Sequence, residues 1–479
     1  MKKVIVILLL MFIFSSLPVV NSFWASYVRN NNHIYEGDTW IVDNWRQQHE
    51  LAFINPNDNQ ILRTQTLIYQ QPIPSHHDLG RKLWFLDSEF TIVSDFQQMP
   101  NNDLNLYGMS LDSATKSMGT SHGFIIDSYG RLWSWGNNEN GRTGLGLSSG
   151  NTLTPTLINT GKIRFVQVDA SSNYNIALDT FGRLWSWGSN LGGRTGLGIS
   201  TGETLVPTLI NTGAIRFVYV SAAGRAGTAN GHGAAIDTFG RIWSWGPSSA
   251  GQTGLGTFGD TLVPTLINTG ETRFKRISLG TNHSLALDLE GRLWSWGSNI
   301  NFLTGLGTGI GSTLVPRLVE TEMTRFMAIS ASNNFNISID LEGRLWSWGS
   351  NEMGATGLGI TSGITVSPTL IYTSSVKFRQ IDTGVQFATA LSKEGRIFSW
   401  GSNNTGRTGL GLTTGSTNEP RPIILEVEFV GFSSNSNGIK ALDETGRLWT
   451  WGSNANSRLG MGTIVGSFNN PTLSQFIIP

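Results

Sequence analysis

The sequence predicts an all-β protein: a seven-bladed β-propeller, preceded by a signal peptide and a small N-terminal segment of unassigned fold. Three observations carry this prediction. The string Gly-Arg-Leu-Trp-Ser-Trp-Gly, or a close variant, recurs from Gly130, Gly182, Gly240, Gly291, Gly343, Gly395 and Gly446. The apolar period inside each copy is two rather than 3.6, which is the period of strands. Each copy is about 50 residues long and holds four strand-like segments separated by turn residues, the size of one propeller blade.

Residues 1–22 read as the signal peptide. Lys2 and Lys3 precede an apolar run from Val4 to Phe14, and the small residues Val20 and Ser22 place cleavage after Ser22. The run is shorter than the ~20 residues that span a bilayer, and Pro18 interrupts its extension. The expectation is a secreted or extracytoplasmic protein with no stable membrane span after cleavage. Residues 23–104 lack the clear repeat and are rich in Asn, Gln and His. Gly80-Arg81-Lys82-Leu83-Trp84 resembles one repeat strand, but the rest of a unit is missing around it. His76-His77-Asp78 is the one His/acid cluster; three adjacent residues rarely converge on one metal, so no metal is assigned.

Residues 105–479 are assigned to the propeller. Each unit opens on a Phe-led segment, from Phe165, Phe217, Phe274, Phe326, Phe378 and Phe429, with Ser113 standing there in copy one. A short apolar run ending in Asp follows, then an Asp-x-x-Gly turn, in which the Asp side chain bonds the local backbone. The Trp-Ser-Trp strand is next, then a Gly-rich loop and a Pro-Thr-Leu-Ile segment. Alternation puts both Trp of a pair on one face. The pairs are Trp133/Trp135, Trp185/Trp187, Trp243/Trp245, Trp294/Trp296, Trp346/Trp348 and Trp449/Trp451, with Phe398/Trp400 in copy six. They are assigned as structural wedges between blades, since one aromatic buries ~150–250 Å². The segment Thr472–Ile478 is expected to join strands from residues 105–135 in blade one and so close the ring.

Composition excludes several function classes. Net charge is zero, only 14% of residues are charged and there is no Cys. Nucleic acid is therefore not expected as a partner. Disulfides, thiolate nucleophiles and Cys-ligated zinc are absent.

The repeats resemble the regulator-of-chromosome-condensation repeat family over about residues 113–479. Copy four carries the pattern most fully, in Gly280-Thr281-Asn282-His283-Ser284-Leu285-Ala286-Leu287, Gly291-Arg292-Leu293-Trp294-Ser295-Trp296-Gly297 and Thr304-Gly305-Leu306-Gly307. The resemblance implies a seven-bladed propeller and leaves function open, because its members include a Ran exchange factor, a plant ultraviolet photoreceptor, ubiquitin-ligase modules and a secreted β-lactamase inhibitor. The photoreceptor's Gly-Trp-Arg-His-Thr motif would fall at Thr281-Asn282 and Ser172-Asn173, where its Trp and Arg are missing.

Other candidate chemistry has simpler explanations. Ser148 and Ser200 sit in Gly-x-Ser-x-Gly strings, but within a repeat loop rather than a strand–Ser–helix elbow. His122, His232 and His283 share a repeat position with Tyr174, Phe335, Phe387 and Gly438, which is the signature of ring packing. The Arg after each turn Gly is expected to pair with the turn Asp or a nearby Glu. Asn282, Asn336 and Asn403 begin glycosylation sequons that would need exposure to be used.

Loop length points to a binding face. First-to-second and third-to-fourth connections emerge on one face of a meander blade, and there they are long and variable. The 58-residue spacing places an insertion around Arg225–Asn230. Arg225, Asn230, Glu203 and Asp260 are the expected partner contacts. The function expected is that of an exported, monomeric, non-enzymatic scaffold binding a protein, without cofactor. The alternatives kept are a small-GTPase exchange regulator and a secreted inhibitor of the β-lactamase-inhibitor type.

Overall fold

The computed structural model describes residues 24–28, 34–35, 48–54, 61–68, 116–119, 121–224, 230–307, 311–434, 437–464 and 466–477. The signal peptide, His76–Asp78 and Gly80–Trp84 lie outside them. The chain forms two compact units, residues 1–109 and 110–479. In the first, Ile34–Tyr35, Trp24–Val28, Gln48–Ile54 and Ile61–Ile68 form a four-stranded sheet in that order.

The second unit is a seven-bladed propeller of four-stranded antiparallel meanders. Blade two shows the plan: Phe165–Ala170, Tyr174–Asp179, Leu184–Ser189 and Glu203–Leu209 pair in sequence order. The blade core alternates as the period-two pattern requires. Phe124, Ile126, Leu132 and Ile158 of blade one pack on Phe165, Val168, Ala177 and Trp187 of blade two.

The two Trp of each pair separate in role. Trp135, Trp187, Trp245, Trp296, Trp348, Trp400 and Trp451 are completely buried between blades, whereas the first Trp of each pair is half-buried. Its indole N–H is spent on the turn. In blade two, Asp179 accepts from Phe181 N and Arg183 N (2.9 Å each), Arg183 Nε (2.7 Å) and Trp185 Nε1 (2.9 Å). One carboxylate thus fixes the turn, the Arg and the Trp.

The ring closes differently from the sequence expectation. Blade one is built from Lys116–Met118, His122–Ile126, Leu132–Asn137 and Asn151–Leu157, all from its own copy. Ser467–Ile477 instead pairs with Arg447–Ser453 as the fourth strand of blade seven. Closure comes from the loop between them. Trp135 Nε1 donates to Arg458 O (2.9 Å), and Gly462 N donates to Leu153 O (3.1 Å). Blade pairs two–three and three–four use the same two bonds, as Trp245 Nε1 to Arg194 O with Gly198 N to Leu262 O and Trp296 Nε1 to Gln252 O with Gly256 N to Leu314 O, so no strand exchange is needed. At this seam Lys440 is buried, with its ammonium 4.1 Å from the Trp135 ring centroid and donating to Phe124 O (3.3 Å). Gly123 makes room for it, since a Cβ there would lie 2.5 Å from Nζ.

Candidate functional site at the channel mouth

The long third-to-fourth loops are structural joints. In blade two, Asn190 Nδ2 donates to Ile199 O (2.6 Å), and Asn190 Oδ1 accepts from Thr195 N (3.2 Å), which folds the loop on itself. Arg194 O accepts from Trp245 Nε1 of blade three (3.0 Å), and Gly198 N donates to Leu262 O (3.0 Å). Gly193 has φ +76°, and a Cβ there would lie 2.5 Å from Leu262. A residue with a side chain would be strained and would meet the next blade.

The first-to-second connections remain. They ring the mouth of the central channel, where a cavity of about 600 Å³ opens on the long-loop face. Its wall is polar. Inner-strand residues Asp169, Ser221, Ser278, Ser330, Asp382 and Ser433 line it from successive blades, and Arg407 reaches it from a third-to-fourth loop. The six inner-strand residues occupy one repeat position, four after the Phe.

The lining solves an edge problem. Innermost strands present unpaired backbone groups toward the channel. Gln167 donates from Nε2 to Val220 O (2.9 Å) and accepts from Val220 N (3.0 Å). Gln380 makes the same pair with Phe432, at 2.6 and 3.2 Å. Asp169 accepts from Ala222 N (2.9 Å), Ser278 Oγ from Ala331 N (2.9 Å) and Asp382 from Ser434 N (2.7 Å). Burial pushes the Asp382 carboxyl up to about 6, with Asp169 adding to the rise and backbone N–H bonds opposing it. Arg276 lies over the Tyr219 ring at 5.3 Å.

Asn230 borders the mouth, with its carbonyl beside Gly224. Arg225 lies outside the described residues. Glu203 is exposed at the start of the blade-two outer strand, and Asp260 is exposed beside Gly192 of blade two. The structure does not bring Glu203 and Asp260 to Asn230. The channel residues Asp169 and Asp382 were legible only as a repeat position that is Ser in the other blades.

The remaining candidates are inward-facing. His122 and His283 each bond an Asn of the next blade through Nε2, Asn175 and Asn336, at 2.7 Å; His232 bonds Ser284 Oγ at 2.8 Å. Burial pushes His122 and His232 down to about 3 and His283 to about 4. These are neutral joints. Asn336 and Asn403 are buried, and Asn336 Nδ2 donates to Leu303 O (2.9 Å), so their sequons cannot carry a glycan in the folded chain. Ser148 and Ser200 are exposed loop residues. Among the described residues no group of three His, Cys, Asp or Glu could hold a metal, and no helix is long and apolar enough to cross a membrane.

Comparison with known proteins agrees with this architecture. The RCC1-like domain pattern matches residues 225–477, and the regulator of chromosome condensation (RCC1) repeat pattern matches residues 129–178. The human E3 ubiquitin-protein ligase HERC2 is 27% identical over 358 residues, or 72% of this chain; the match spans only 7% of that protein's length. The Ultraviolet-B receptor UVR8 of Arabidopsis thaliana is 26% identical over 355 residues, 73% of this chain and 79% of that one. Among solved structures, Prp20p from Saccharomyces cerevisiae superposes with TM-score 0.65 at 19% identity, covering 80% of this chain and 90% of its own. Human WBSCR16 gives TM-score 0.64 at 19% identity, covering 72% and 94%.

Proposed function

This chain belongs to the RCC1-like domain family, and we propose that it is an exported, monomeric, non-enzymatic module that docks a protein partner over the channel mouth on its long-loop face. The observation that carries this reading is the mouth itself. Seven rigidly jointed blades surround a polar cavity of about 600 Å³, and Gly224 and Asn230, which flank the one large insertion in the sequence, border it. Loops on a rigid scaffold are where binding concentrates. Prp20p is described with binding to Gsp1p and histones, and yeast RCC1 with Kap60, which supports a protein as the class of partner.

The test is capture of partners by the mature chain, compared with a chain lacking residues 225–230 and with Ser278→Arg, which fills the mouth. Both changes should abolish capture while leaving the circular dichroism spectrum intact. Capture unchanged in both would overturn the docking site. Cell fractionation with N-terminal sequencing tests export separately; an intact Met1 in the cytosolic fraction would refute it.

A further inference from the structure

The opposite face carries an asymmetry that the docking site does not use. There the turns of blades one to six touch the connection leading to the next blade. Phe165 N donates to Gly130 O (2.8 Å) and Thr180 N to Arg164 O (2.9 Å). Phe217 N then donates to Gly182 O (2.8 Å) and Thr238 N to Arg216 O (3.0 Å). The bonds continue through Phe274 N to Gly240 O (2.8 Å) and Leu289 N to Arg273 O (2.9 Å). Turns and connections therefore form one continuous strip.

Along blades one to three the strip reads Tyr129, Arg164, Phe181, Arg216, Phe239, Arg273: aromatic and cation in alternation. The rings are open to solvent, at 60%, 58% and 67% for Tyr129, Phe181 and Phe239. Each is propped by the guanidinium of its own turn, with Arg131, Arg183 and Arg241 at 5.0, 5.2 and 5.1 Å from the ring centroids. Those three Arg are committed to the turn Asp at 2.7 Å. The intervening Arg are held as well, through Nη1 to Gly161 O (3.1 Å), Gly213 O (3.1 Å) and Gly270 O (2.8 Å), and Arg273 Nη2 also pairs with the exposed Glu271 (3.5 Å). Both kinds of side chain are pre-organised, which lowers the ordering cost of a bound partner. Continued through blades four to seven, the rings are replaced by carboxylates: Glu290, Glu342 and Glu394 stand where the rings were, with Arg325, Lys377 and Lys393 among them, and the strip ends on Glu428 and Glu444.

We propose that this aromatic–cation strip on blades one to three is a second docking surface, and that its occupant is an acidic peptide segment bearing apolar residues. The apolar side chains would lie on the three rings and the carboxylates on Arg164 and Arg216, since Arg273 already pairs with Glu271. Charge complementarity selects the acidic partner, and the replacement of the rings by Glu290, Glu342 and Glu394 beyond blade three disfavours other registers. A nucleic acid fits less well. Blades pack about 10 Å apart, too far for successive bases to stack on neighbouring rings, and a longer polymer would find Glu290, Glu342 and Glu394 where the next rings would be needed.

The experiment is fluorescence anisotropy of a labelled peptide of repeating Glu-Glu-Leu with the full chain at low salt. Its Gln-Gln-Leu counterpart and an oligothymidylate serve as separate arms. The acidic peptide should bind, weaken with added salt, and bind about tenfold less well to both Phe181→Ala and Arg216→Glu. Glu394→Gln should change nothing, and thermal unfolding should report all three variants as folded. If Arg216→Glu disturbs its own turn, Phe181→Ala carries the comparison alone. No binding at low salt, equal binding of the Gln peptide, or wild-type affinity in Phe181→Ala would overturn the proposal. Tighter binding of the oligothymidylate would overturn it in favour of a nucleic-acid surface.

Discussion

Trp400→Phe and Trp451→Phe should destabilise the propeller unequally. Both indoles are completely buried at equivalent positions. Trp400 Nε1 donates to Ala355 O of blade five at 3.0 Å, whereas Trp451 Nε1 has no acceptor among the described residues. Replacing Trp by Phe removes on the order of 40 Å² of apolar surface, about 1 kcal/mol at ~25 cal/mol per Å². At Trp400 the change also orphans a carbonyl inside the joint, adding about 1–3 kcal/mol. The expected losses are therefore about 3 kcal/mol for Trp400→Phe and about 1 kcal/mol for Trp451→Phe. Urea unfolding followed by far-ultraviolet circular dichroism measures both against the wild-type chain. Equal losses would show that the indole–carbonyl joint contributes nothing and that packing alone holds neighbouring blades.

Three further outcomes follow from the geometry. Asp179→Ser removes an acceptor of four hydrogen bonds and should cost about 2–4 kcal/mol, read from the same urea curves. Copy six shows that the fold tolerates Ser there, where Ser392 Oγ accepts from Arg396 N at 3.2 Å. Lowering pH from about 8 to 5 should destabilise the chain by about 5 kcal/mol, because an unfolded His titrates near 6.5. His122, His232 and His283 stay neutral when folded, being held down at about 3, 3 and 4, so each contributes a loss of about 2 kcal/mol as pH falls. Asp382, raised to about 6, works in the other direction: its stabilisation is complete below the unfolded carboxyl value and is lost as pH rises through 6, which offsets about 1 kcal/mol. His122→Phe, a substitution seen naturally as Phe335 and Phe387, should flatten the pH profile in thermal melts; an unaltered slope would refute the assignment. Finally, expression in a glycosylating host should leave Asn336 and Asn403 bare by mass spectrometry.

Much of this fold was legible in the residues. The period of two, the Asp-x-x-Gly turns and the repeated Trp pair dictate short paired strands, because strand geometry and turn chemistry are local. The pairing of each turn Asp with its Arg was readable too, since the partners lie four residues apart. Ring closure was not. The truncated start of copy one suggested a borrowed strand, yet the next-blade joint made by Trp135 and Arg458 serves instead, between residues far apart in sequence. The candidate site was half-legible. Loop length indicated the right face, but it could not show that Asn190 and its counterparts fold the long loops into joints and leave binding to the channel mouth.

The sequence by itself determined what each blade is made of: strand periodicity, turn type, the paired Trp and the number of repeats. Only the tertiary structure decided which groups meet across blades. It separated the two Trp of a pair, burying the second and tying the first to its turn. It set Asp169 and Asp382 around one channel, and it joined Tyr129, Phe181 and Phe239 to three arginines along one rim. The physical reason is that each blade buries its faces only against its neighbours, so inter-blade contacts depend on residues about fifty positions apart, which no local pattern encodes.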